Sequence, residues 1–152
     1  MTSAAVKAQL VVLAGAARAG LEVMTVKERG LGFASFPHGT CGPVSELMGR
    51  IILERTGLEA VYVCGDGHPD LQAQQSHAWI EVGGFIVDLT YDQFGETGCV
   101  GWVHEASLWH AKFDRELHSL CLSPSQWGQY PYAAYGAMKR ACDTVVLATS
   151  EL

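Results

Sequence analysis

The chain has 152 residues, 49% of them hydrophobic, 17% charged and 9% aromatic, with 10 Lys plus Arg against 16 Asp plus Glu. At this length one chain buries about two-thirds of its unfolded surface, so residues 1–152 are expected to form a single domain, and the low charge excludes a disordered chain. The net charge of −6 argues against nucleic acid and anionic membrane surfaces as partners, because both are held by clustered Lys and Arg.

No uninterrupted apolar run reaches the roughly 18 to 20 residues that span a bilayer. Ala8 to Ala19 mimics a secretion signal, but only Lys7 precedes it as a basic residue. Val6, Leu10, Leu13, Ala17 and Leu21 recur at spacings of 3 and 4, with Lys7 and Arg18 on the opposite side, which predicts an amphipathic helix. Five cysteines form an odd set with no close pair, so a reducing, cytoplasmic setting is expected rather than a disulfide framework.

Gly30, Gly32, Pro37, Gly39 and Gly42 mark a loop that runs up to Cys41. Val44, Leu47, Met48, Ile51 and Ile52 then fall on one helical face, with Pro43 in the first turn and Gly57 just past the end. This places Cys41 at a helix N-terminus. Ala60 to Cys64 reads as a short strand and Gly65 to Gln75 as a polar surface loop. His77 to Val82, Gly83-Gly84 and Phe85 to Thr90 form a β-hairpin with Val82 opposite Phe85, Ile80 opposite Val87 and Ala78 opposite Leu89. That side is wholly apolar and faces the core. The other, non-core side carries His77, Trp79, Glu81, Ile86, Asp88 and Thr90, and puts Asp88 diagonal to His77 at a Cβ separation of about 7 Å or less. Further on, the pattern predicts a glycine-rich turn through Gly95, Gly98 and Gly101, a short helix around Trp109 and Phe113, a loop over Ser123 to Pro131 and a last helix from Tyr132 to Ala148.

A cysteine at a helix start with a histidine and an aspartate side by side on a hairpin is the residue set of a thiol-nucleophile triad. Unpaired N–H groups at the helix start favour negative charge on sulfur and on an oxyanion, the histidine carries the proton, and the carboxylate orients the imidazole. Cys41, His77 and Asp88 fill these roles. Trp79 reads either as a groove wall or as a cross-strand packing residue. Asp92 and Gln93 follow the second strand as turn residues that could also support the site or bind the oxyanion.

The strings Phe36-Pro37-His38-Gly39-Thr40-Cys41-Gly42 with Ser45 and Leu47, Ser76-His77-Ala78-Trp79-Ile80-Glu81, and Val87-Asp88-Leu89-Thr90 resemble the transglutaminase-like thiol hydrolases of the papain-like superfamily. His-Ala-Trp-Ile-Glu followed by a glycine turn is also similar to the leader peptidases that mature lasso peptides. The resemblance spans Phe36 to Phe94. It implies an α+β fold, a helical N-terminal part packed on a small antiparallel sheet, and a Cys-His-Asp triad in the order Cys41, His77, Asp88. Papain-like enzymes often place an oxyanion-binding Gln before the nucleophile. Here only His38 and Thr40 stand there, so backbone N–H groups or Gln93 are expected to serve.

The reaction expected from these residues is acyl transfer from a peptide or protein amide through a thioester on Cys41. Water as acceptor makes a peptidase, isopeptidase or glutamine deamidase; an amine makes a transglutaminase or acyltransferase. The rival from another class is a peptide-binding module on the same scaffold. No cofactor is called for, since no P-loop, dinucleotide fingerprint or G-x-S-x-G string occurs. His104, His110, His118 and Cys121 lack any paired zinc spacing, so no metal is expected. Cys64 and Cys142 read as small buried hydrophobes.

Overall fold

A computed structural model describes residues 1–120 and 132–147. In chain order the elements are α1 (Ser3–Glu22), α2 (Val26–Arg29), α3 (Cys41–Thr56), β1 (Val61–Asp66), β2 (His77–Val82), β3 (Phe85–Val87), a 3-10 turn (Tyr91–Phe94), β4 (Val103–His104), α4 (Leu108–Ala111), β5 (Asp114–Ser119) and α5 (Tyr132–Asp143). The strands form one antiparallel sheet in the order β4-β3-β2-β1-β5. The protein is therefore α+β, with α1, α3 and α5 gathered on one face of the sheet.

α1 begins where Thr2 accepts from the Ala5 N–H at 3.1 Å. Its buried stripe of Val6, Leu10, Leu13, Ala14, Ala17 and Leu21 contains every apolar position expected of it. Gly20 lies so close to α5 that a Cβ there would stand 2.6 Å from the Ala137 carbonyl oxygen. The helix is longer than Ala8 to Ala19, and over Ser3–Glu22 it is long and apolar enough to cross a membrane by length and composition; half of that window is buried inside the molecule. Arg18 corrects the expectation that it shares an outward side with Lys7. It is buried, and donates to the Leu89 carbonyl at 2.6 Å and to both carboxylate oxygens of Asp92 at 2.8 and 2.9 Å.

α3 starts at Cys41 and stops at Gly57, whose φ of 76° is the left-handed conformation of a helix C-cap. Val44, Leu47, Met48, Ile51 and Ile52 all lie in the core. The hairpin has the expected register, Val82 against Phe85 and Ile80 against Val87. β3 ends at Val87, however, and Asp88 leaves the ladder to donate its backbone N–H to the Trp102 carbonyl at 2.9 Å.

The expectation of a non-core side to this hairpin is overturned. A second cluster of Val63, Trp79, Tyr91, Trp109 and Phe113 covers that face, so His77, Trp79, Asp88 and Thr90 are all buried. The chain after Phe94 supplies the cover, through α4 and Phe113. β4, β5 and α2 are elements the hydrophobic pattern did not mark. The last helix ends at Asp143 rather than running on towards Ala148; Ala148, the Ser123 to Pro131 loop and Cys121 lie outside the described residues.

Gly65 pairs with His77 across β1 and β2, and a Cβ on it would meet Phe113 Cβ at 2.7 Å. Gly65→Ala must therefore push Phe113 out of the second cluster. We expect a loss of about 1–3 kcal/mol in urea unfolding, whereas Gly15→Ala, where a Cβ meets nothing within 4 Å, should not destabilise the protein.

Candidate active site

Thr40 precedes α3 without capping it: the residue is buried and its hydroxyl donates to the Pro37 carbonyl at 2.8 Å. This bond closes the loop on Cys41, which sits half-buried as the first residue of a 16-residue helix. The first N–H groups of such a helix have no intrahelical acceptor. The Tyr62 hydroxyl stands 3.3 Å from where a Cβ would lie on Gly42, so the residue after Cys41 has room for little more than a hydrogen.

β2 begins at His77 and Asp88 follows directly on β3, and the two side chains meet as the diagonal register requires. His77 Nε2 lies 2.6 Å from Asp88 Oδ2. His77 Nδ1 is buried without a hydrogen-bond partner among the described residues, and Cys41 lies near enough to help raise the ring's pKa. The rings of Trp79, Phe94, Trp109 and Phe113 stand 4.9 to 6.2 Å from the imidazole and exclude water from it. Burial in this box works against a charged imidazole. The Asp88 charge and hydrogen bond, helped by Cys41, outweigh it, and the His77 pKa is pushed up to about 9. For Asp88 burial works the other way, yet His77 and His110 hold its carboxyl well below the usual carboxylate range.

His110 is the partner that sequence reasoning passed over as a site residue. Its Nε2 lies 2.7 Å from the same Asp88 Oδ2, and the Thr90 N–H donates to Oδ1 at 2.9 Å. This imidazole stands 22 residues downstream, on the short helix α4, and no local pattern announces it. His77, Asp88 and His110 offer ligand atoms within 4.8 Å of one another, a set that by residue type could hold a cation. Here the same atoms are engaged in the two short hydrogen bonds to Oδ2. His104 on β4 and His118 on β5 stand at opposite edges of the sheet, so His118 lies apart from His104 and His110, whose ring centres are 6.1 Å from each other.

Of the further expected residues, Trp79 is fully buried and packs against His77 and His110, so it is a packing residue rather than an accessible groove wall. Asp92 is taken up by Arg18. Gln93 donates through Nε2 to the Thr90 carbonyl at 3.0 Å and accepts from the Gly39 N–H at 3.3 Å, tying the hairpin end to the Cys41 loop. Cys64 is half-buried rather than buried, and its thiol pKa is raised by burial and then by the charge of Cys41. Cys142 is buried, which pushes its thiol up to about 11. No family model, curated protein or solved structure matches the chain.

The two shifts have opposite consequences for stability. His77 binds its proton more tightly folded than unfolded, so its contribution is whole below pH 6.5 and is lost as pH rises to about 9. The Asp88 contribution is present above the unfolded carboxylate value and is lost as pH falls. Thermal unfolding of wild type and His77→Gln should therefore converge as pH rises from 6.5 to 9. A difference that stays constant across that range would show that His77 has an ordinary titration.

Proposed function

We propose that the chain is a thiol-dependent enzyme that transfers the acyl group of a peptide or protein amide, on a transglutaminase-like variant of the α+β fold. The observation that carries this reading is the buried imidazole of His77, bound through Nε2 to Asp88, with Nδ1 meeting no hydrogen-bond partner among the described residues and Cys41 near enough to help raise the ring's pKa. A hydrophobic filler needs no carboxylate, and a surface histidine needs no aromatic box. A base that must take and return a proton needs both a fixed tautomer and one vacant nitrogen.

In this mechanism His77 already holds the thiol proton on Nδ1, as its raised pKa favours, and the Cys41 thiolate attacks the amide carbonyl carbon. The oxyanion lies at the start of α3, where N–H groups point outward. His77 returns the proton to the leaving nitrogen, the C–N bond breaks, and an acyl thioester remains on Cys41. Water then attacks the thioester, giving a proton to His77; the C–S bond breaks, the acid leaves, and the Cys41 thiolate and protonated His77 are restored. An amine in place of water makes a new amide by the same steps. The fold resemblance favours water, in a reducing, cytoplasmic setting.

Iodoacetamide at pH 6 should alkylate Cys41 far faster than it alkylates the denatured chain, and His77→Ala should remove the acceleration. Cys41→Ala should abolish turnover of any peptide substrate found by library cleavage. Asp88→Asn turns a donor toward His77, forcing its proton onto Nδ1, and should lower turnover by about three to four orders of magnitude. Adding excess primary amine separates the acceptors: an amide product in place of acid would make the protein an amine acyltransferase. Alkylation of native Cys41 no faster than in the denatured chain would sink the enzyme reading in favour of a peptide-binding module.

A further inference from the structure

We propose that His110 is a positioning residue of the same centre: its Nε2–H holds the Asp88 carboxylate oxygen in the place from which that oxygen orients His77. The proposal rests on the acyl-transfer reading for its consequence in catalysis, and on geometry alone for the interaction itself.

Both ring nitrogens of His110 are engaged, and the ring is buried. Nε2 reaches Asp88 Oδ2 at 2.7 Å, while Nδ1 lies 2.6 Å from the Ser107 hydroxyl. Ser107 also caps α4, accepting from the His110 backbone N–H at 3.2 Å, so a single hydroxyl sets the helix start and the ring. With the hydroxyl proton given to Nδ1, the ring proton sits on Nε2 and points at Asp88. The other groups facing this ring are Trp79, Trp109, His77 and His104, with Cys99 beyond Ser107 at 3.9 Å.

A side chain that only filled this space could be leucine or phenylalanine, which would pack without burying two polar atoms. The histidine is explained by what its donor does. Asp88 makes three hydrogen bonds, one from Thr90 on Oδ1 and two on Oδ2. With His110 removed, the donor left on Oδ2 among the described residues is His77, whose own orientation the carboxylate is supposed to set. His110 supplies the fixed point from outside the hairpin, and α4 carries it there.

The test compares wild type with His110→Phe, which keeps a ring but no donor, and His110→Gln, whose amide nitrogen can reach a similar place. The first readout is proton NMR of the His77 Nε2–H, which reports the His77–Asp88 bond whether or not Cys41 is activated. It should exchange with water about tenfold faster or more in His110→Phe and stay near wild type in His110→Gln. The second is Cys41 alkylation at pH 6, which should fall about tenfold in His110→Phe and recover to within about threefold in His110→Gln. His110→Met, apolar and without a donor, takes the place of the phenylalanine variant if that one does not fold. An unchanged His77 N–H in a folded donor-less variant overturns the proposal, as does a glutamine variant as impaired as the donor-less one. Slow alkylation of wild-type Cys41 would count against the enzyme reading alone, because the exchange measurement still decides the role of His110.

Discussion

A carboxylate buried among tryptophan and phenylalanine rings is tolerable only when its lone pairs are met by donors. Asp88 is such a group, 2% exposed and bound by the Thr90 N–H, His77 and His110. The rest of the site follows from satisfying it. The hairpin register brings His77 alongside, the departure of Asp88 from the β3 ladder turns its side chain into the second cluster, and α4 delivers His110 from beyond the sheet. The outcome is an imidazole fixed through Nε2, with Nδ1 buried and without a hydrogen-bond partner among the described residues, and with a pKa that Asp88 and then Cys41 raise.

The helical layer and the site are joined through Arg18. Its guanidinium lies 4.7 Å from the ring centres of both Phe36 and Trp102 while it binds the Leu89 carbonyl and Asp92. Phe36 belongs to the loop before Cys41, Leu89 follows Asp88, and Trp102 accepts the Asp88 backbone N–H. One buried cation therefore links α1, the loop before Cys41 and the segment after β3. Gln93 makes a second, shorter link from Thr90 to Gly39. These ties keep Cys41 and His77 in register although they come from different layers of the molecule.

What could be read from the sequence was local. The Cys41 helix shows because its apolar residues repeat at helical spacing between a proline and a left-handed glycine, and the hairpin shows because Gly83-Gly84 sets Val82 against Phe85. The diagonal from His77 to Asp88 is then a matter of counting. β5 stayed hidden because all six of its residues are exposed, so hydrophobic alternation has nothing to mark. β4 is two residues long. Arg18 and His110 were missed for a common reason: each is a polar residue on a helix whose role is set by partners far along the chain, 74 residues away for Asp92 and 22 for Asp88. The second cluster was missed because its aromatic residues are dispersed over turns and short elements between Val63 and Phe113.

The most direct test of this account is the titration of the His77 ring nitrogens by nitrogen-15 NMR in the intact protein. If Asp88 holds the imidazole as described, His77 keeps its proton until about pH 9, and Nε2 retains a hydrogen-bonded proton above that point. A His77 ring that titrates at the ordinary value of 6.5, with Nε2–H in rapid exchange with water, would contradict it.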